Sequence, residues 1–198
     1  MENQTARRTT LGVLLCPSDG EPNHRTSYRF NSGRRRPDDR NRPYDGPFNL
    51  GFFPTPAAIT DGLSRTAFLS ERLGGSFRPG EPDPARDLKI PDDPSVLLNN
   101  PDDESYIVAC LDASPGAWII YEGRYWYYFG AAYTAYNHNG APNDPRPSCG
   151  GEVFGLLPPR SRHPGLVNVL FGDGHVEAVG NSVNQQVWRS RGSADGGD

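Results

Sequence analysis

Apolar positions along this chain come in short runs separated by long stretches rich in polar residues, Pro and Gly, and regular periodicity is clearest near the C-terminus. In LVNVLF, Leu166 to Phe171, the residues Val167, Val169 and Phe171 share one face of an extended strand. HVEAV follows from His175 to Val179, and the intervening Asp173-Gly174 is a strong hairpin signal. The pattern predicts a β-hairpin. Beyond it, Val183 to Arg189 predicts a short amphipathic helix anchored by Val187 and Trp188, and residues 190–198 read as a fraying tail. Upstream, AAITDGLSRTAFLSE (57–71) predicts a bend at Asp61-Gly62 and then a strand. There Thr66, Phe68 and Ser70 alternate with Ala67, Leu69 and Glu71. LGVLL (11–15) predicts a buried strand ended by the turn-forming Cys16-Pro17-Ser18-Asp19-Gly20. Residues 105–111 (SYIVACL) fit either helical turns or a strand. The aromatic block at 117–136 reads as sheet and core rather than as a sugar-stacking platform.

The polar stretches are equally informative. From Asn23 to Arg42, seven arginines face only Asp38 and Asp39, with almost nothing aliphatic to bury. This predicts a solvated basic loop in preference to a phosphate or acidic-partner patch. Residues 79–104 hold six prolines and eight carboxylates, too many breakers for a packed element except around Val96 to Leu98. They read as a Pro/Asp-rich loop excursion. Its Pro91-Asp92-Asp93-Pro94 is echoed at Pro101-Asp102-Asp103-Glu104, an oxygen-rich pair of loops that lacks the spacing of a dedicated calcium site.

Composition narrows the class. The 198 residues suit a single domain, 1–198, and 23 Gly with 20 Pro against 35% hydrophobic residues predict a modest core wrapped in loops. An aromatic content of 11% argues against full disorder. A net charge of -4 provides no global attraction for nucleic acid. Lys89 is the only lysine, so the other cations are Arg, a bias read as nucleotide composition. No run approaches the roughly 18 apolar residues of a membrane span, and the opening lacks a secretory cleavage pattern. The three cysteines, Cys16, Cys110 and Cys149, include no CxxC, which removes the common zinc and thioredoxin-like readings and permits one disulfide with one leftover thiol.

No GxSxG, HExxH, Walker A or GxGxxG motif occurs. A hydrolase would have to draw on His163, Asp173 and a serine such as Ser161, but near-adjacent Ser161 and His163 make a poor nucleophile and base pair. The preferred reading is structural: His163 fixes a loop at the strand entrance, and Asp173 bonds turn amides. No catalytic residue, cofactor or metal ligand is assigned.

His163, nine intervening residues and Asp173-Gly174 closely resemble the C-terminal H-x9-DG motif of the prepilin-type, processing-associated pseudopilin-like proteins. The resemblance runs in order along the chain. Cys16-Pro17-Ser18-Asp19 looks like that family's CPSD element, and Ile59 to Glu71, with Asp61 and Gly62, looks like its ITDG segment. Tyr136-Asn137-His138 through Asn143 to Cys149 looks like its YNH, PPN and SC stretch, and Val187 to Asp198 resembles its tail. Family members carry a prepilin leader and a long hydrophobic helix; this chain's opening looks like the family interior just before CPSD, so both are expected to be lacking.

The resemblance implies an α+β, mainly antiparallel, loop-rich globular domain of pilin-head type. It also implies an exported, envelope-located, non-enzymatic role in a type II secretion or type IV pilus-like assembly, with other envelope proteins as partners. In that oxidising setting a Cys110–Cys149 bridge is plausible. A soluble cytoplasmic product remains the alternative location. The competing function is an exported β-rich carbohydrate-binding module or a hydrolase using His163 and Asp173. Binding requires aligned, solvent-facing rings among Trp118, Tyr121, Trp126, Tyr127 and Tyr128, and packing requires most of them buried.

Overall fold

The computed structural model describes residues 3–34, 45–49, 54–93, 95, 103–151 and 155–196. The larger of its two sheets contains β1 (Tyr28–Asn31), β2 (Ala67–Glu71), β5 (Ala135–Tyr136), β8 (Leu166–Phe171) and β9 (Val176–Gly180), in the order β5-β1-β2-β8-β9. All its pairings are antiparallel except β1 with β5. The smaller sheet contains β3 (Leu88–Pro91), β4 (Pro115–Ile119), β6 (Ser148–Gly150) and β7 (Gly155–Leu156), in the order β4-β3-β6-β7, with only β3 and β6 parallel. Helices α1 (Gln4–Arg8), α2 (Asp103–Asp112) and α3 (Gln185–Ser190) complete an α+β, loop-rich and mainly antiparallel architecture. No helix among the described residues is long and apolar enough to cross a membrane.

The hairpin pattern determines the larger core. Val167, Val169 and Phe171 on alternate positions of β8 are buried, and Ala67, Tyr136, Val179 and Trp188 close over them. The connection is a four-residue loop, Gly172 to His175, rather than a two-residue turn; Phe171 N–H donates to the His175 carbonyl at 2.9 Å. Gly174 sits at φ 94°, a conformation that strains any residue with a Cβ. In α3, Asn184 is the N-cap, its Oδ1 accepting from the amides of Gln186 and Val187. Trp188 is fully buried and donates from Nε1 to the Gly140 carbonyl at 2.8 Å, whereas Val187 faces solvent and is no anchor; Val183 packs on the core in its place.

Residues 105–111 resolve to helix. α2 packs Tyr106 and Ile107 on Leu156, and a disulfide joins Cys110 to Cys149 of β6. Lys89 donates from Nζ to the carbonyls of Leu111 and Ala113, at 2.7 and 2.6 Å. A cation thus satisfies carbonyls left open at the C-terminus of α2.

Several expectations from local pattern are overturned. LGVLL is no buried strand: Gly12–Leu14 is a 3-10 turn and Val13 is 83% exposed, because this segment has no sheet partner. β1 runs through the supposed basic loop, and Arg29 within it is fully buried, since β2 and β5 flank the strand and Glu122 supplies a counter-charge. The Pro/Asp-rich excursion contains β3, which pairs on both sides. The C-terminal tail does not fray through 196: Ser193 and Ala194 are buried, and Ala194 N–H donates to the Asp45 carbonyl. The arginines at 35–42, the segment Val96 to Leu98, and Pro94, Pro101 and Asp102 lie outside the described residues. Asp92 and Asp93 accept local backbone amides, from Asp93 and Ser95 respectively.

Candidate functional site

The polar landmarks gather where the N-terminal turn crosses the ends of β2 and β8. Cys16 is held by its amide, which donates to Ser27 Oγ at 3.0 Å. Glu71 ends β2 in register with Tyr28 of β1, and its Oε2 accepts from Asn168 N–H of β8 at 2.8 Å. His163 lies at the entrance to β8, its amide donating to Ser161 Oγ at 3.0 Å. These side chains converge: His163 Nε2 is 3.1 Å from Glu71 Oε1 and 3.6 Å from Cys16 Sγ. Glu71 is buried, and Cys16 and His163 are half-buried. Beside them opens a surface groove of about 640 Å³, lined among others by Asp83, Asn143, Asp144, Arg160, Arg162 and His163.

The CPSD turn is anchored by Asp19. Its buried carboxylate accepts from Arg86 Nη1 at 2.6 Å and Gly74 N–H at 2.8 Å, and lies 3.3 Å from His24 Nε2. Burial pushes the His24 imidazole down, and Asp19 only partly offsets this. Pro17 and Ser18 are exposed turn residues. Behind the turn, Arg29 and Arg72 are both buried near the Glu122 carboxylate, which Arg72 contacts directly while Arg29 Nη2 donates to the Leu73 carbonyl at 3.4 Å. Arg72 Nη2 donates to Glu122 Oε1 at 2.7 Å and its Nη1 to the carbonyls of Ala131 and Ala135. Burial dominates this group, pushing Glu122 up to about 7 and Arg29 down to about 9, while their mutual attraction opposes both shifts.

The remaining motif residues serve as joints. His138 is fully buried; its Nδ1 donates to the Trp188 carbonyl at 2.7 Å, its Nε2 faces the Tyr136 hydroxyl at 3.1 Å, and its ring stacks on Trp188 at 3.8 Å. Burial pushes it down to about 3. Asn137 clamps β7, donating to the Gly155 carbonyl and accepting from Leu157 N–H. Asn143 adopts φ 53° and ties Leu166, Asn181 and Ser161 together. Asp61 accepts from Ser193 Oγ at 2.6 Å and Gly196 N–H at 2.9 Å, and Gly62 turns beside it at φ 96°.

His163 and Asp173 do not meet. Asp173 lies at the hairpin tip at the opposite end of β8, where Oδ1 accepts from the His175 amide at 3.1 Å and faces His175 Nδ1 at 2.6 Å. Ser161 Oγ donates to the Leu166 carbonyl, so its proton is committed to backbone. The structure thus does not assemble the Ser161, His163 and Asp173 set.

The expectation that the aromatic block is mostly buried also fails. Trp118, Tyr125 and Trp126 are half-buried, and Tyr121, Tyr127 and Tyr128 are exposed, Tyr128 at 55%. Trp126 and Tyr127 meet edge-on at 86° and Tyr128 and Tyr133 at 79°, whereas Tyr125 is tilted by 46° against Tyr127 and by 37° against Tyr133. Arg7 of α1 lies over Tyr127 and Arg124 over Tyr125, while Trp126 Nε1 donates to the Thr9 carbonyl. The segment has too few sheet positions to bury its rings, since β4 stops at Ile119 and β5 begins only at Ala135.

Glu71 is the site residue that sequence reasoning passed over. One signal was present: its alternation with Ala67 and Leu69 set a carboxylate on the inward side of a strand, where an ionised group requires a partner.

No curated protein sequence and no solved structure matches the chain. One family model does, spanning residues 1–186 and so containing Cys16, Glu71, His163 and Asp173, and it is described as a protein of unknown function, DUF1559. With its motif residues in these joints, the chain belongs to the DUF1559 family, whose members are of the H-x9-DG type.

Proposed function

We propose that this chain is a non-enzymatic, pseudopilin-like recognition head of a type II secretion or type IV pilus-like envelope assembly, exported and binding protein partners through its surface. The observation that carries the reading is the exposed aromatic-arginine face formed by α1 and residues 121–133. Tyr and Arg are the side chains that protein interfaces favour, and here rings and guanidiniums are held together without being sealed inside. The Cys110–Cys149 bond supports an oxidising compartment. No two of these neighbouring rings are coplanar, being edge-on or tilted by 37° or more, and this favours a protein surface over a sugar, which stacks best on rings lying in one plane.

The test places a photo-crosslinking residue at Tyr128 in cells that make the native protein. The expected result is a discrete crosslink to a filament-type envelope protein, lost in Arg124→Glu. Binding to soluble oligosaccharides that disappears in Tyr127→Ala with Tyr128→Ala would refute this reading in favour of the carbohydrate one.

A further inference from the structure

We propose that Cys16, Glu71 and His163 form a binding site for a divalent transition-metal ion of the zinc class, with a fourth position left for water or an anionic ligand. The three donors come from segments 55 to 147 residues apart, yet their atoms lie within 4.8 Å of one another. Zinc bonds of about 2.3 Å to sulfur and 2.0–2.1 Å to nitrogen or oxygen, at tetrahedral angles, set sulfur and nitrogen roughly 3.6 Å apart and nitrogen and oxygen roughly 3.3 Å apart. The structure has 3.6 Å and 3.1 Å. Sulfur and carboxylate have at most about 1.2 Å to close toward the roughly 3.6 Å expected of them.

The alternative, a thiol activated by an imidazole and a carboxylate, fails on connectivity. In such a relay the acid grips one ring nitrogen and the thiol the other. Here both face Nε2. One Nε2–H can be given to only one of two acceptors, whereas a cation between them takes a lone pair from all three groups.

The surroundings suit a cation of this type. Asn168 N–H holds Glu71 Oε2 and so aims Oε1 at His163, the kind of outer-shell bond that orients a metal-binding carboxylate. A thiolate and a carboxylate neutralise a divalent ion. Arg72, Arg160 and Arg162 line the small cavity beside Cys16 and Glu71; Arg72 is paired with Glu122, Arg160 Nη2 is turned to the Arg146 carbonyl, and Arg162 is exposed, where solvent screens its charge. Sulfur and imidazole donors select zinc-like ions over calcium or magnesium. Because His163 also lines the larger groove, a ligand completing the coordination would enter from there, past Arg160 and Arg162.

The test uses the full chain with the Cys110–Cys149 bond intact and Cys16 as a free thiol. One equivalent of Zn²⁺ should bind in equilibrium dialysis, and Co²⁺ in its place should show a sulfur-to-cobalt charge-transfer band. Cys16→Ser should abolish that band. Cys16→Ser and His163→Gln should each weaken Zn²⁺ binding by roughly 100-fold or more, beyond the 10–100-fold typical of outer-shell losses. His175→Gln, at the hairpin tip, should change neither. Independently of any variant, stoichiometric Zn²⁺ should slow alkylation of Cys16 by about tenfold or more, since a metal-held thiolate is withdrawn from attack. No stoichiometric binding, a charge-transfer band that survives Cys16→Ser, or alkylation indifferent to Zn²⁺ would each overturn the proposal.

Discussion

Acid should unfold this protein partly through one histidine. His138 must be neutral to accept at Nε2 from the Tyr136 hydroxyl while donating from Nδ1 to the Trp188 carbonyl, and burial pushes it from 6.5 to about 3. A depressed folded value means that its contribution to stability is complete above pH 6.5, where the unfolded imidazole is also neutral, and is lost as pH falls toward 3. At about 1.4 kcal/mol per unit, the whole window is worth about 5 kcal/mol, of which about 2.5 kcal/mol is gone by pH 4.5. The assay is urea unfolding at pH 7.5, 6.5, 5.5 and 4.5 for the natural chain and His138→Gln. The variant should start less stable, having lost a buried ring stack and hydrogen bonds, but its stability should fall less steeply, by about 1.4 kcal/mol per pH unit below pH 6. His24, also pushed down by burial, is present in both proteins and drops out of the difference. Parallel pH profiles, or a His138 resonance titrating near 6.5, would refute the reasoning.

Two further perturbations follow from the joints. Replacing Cys110 and Cys149 together by Ala should cost about 2–4 kcal/mol in thermal unfolding, with hydrogen-exchange protection lost first in α2, which the bond ties to β6. Asp61→Ala removes the acceptor for Ser193 Oγ and Gly196 N–H; it should cost about 1–3 kcal/mol and expose residues 190–196 to proteolysis, while the hairpin stays protected.

Where side chains alternate strictly, local pattern was enough. Val167, Val169 and Phe171 can share a face only in a strand, so β8, its return strand and the neighbouring β2 were legible, as was a helix presenting Trp188. Arg29 was misread because arginine signals solvent until a buried partner exists, and that partner, Glu122, lies 93 positions away. β3 was misread because the prolines around it mark edges and turns, while Leu88 to Ile90 still pair with β4, and Leu88 and Lys89 also with β6. The tail was misread because nothing local reveals that Asp61 waits for Ser193.

By itself the sequence determined an ordered set of motifs, a β-rich class and the hairpin, since each rests on neighbours within a few residues whose dihedral and hydrophobic preferences act locally. The tertiary structure alone decided which motif residues touch. It carried His163 away from Asp173 and brought it to Glu71 and Cys16, because a residue at the entrance of a central strand meets the neighbouring strand's end, not its own hairpin tip.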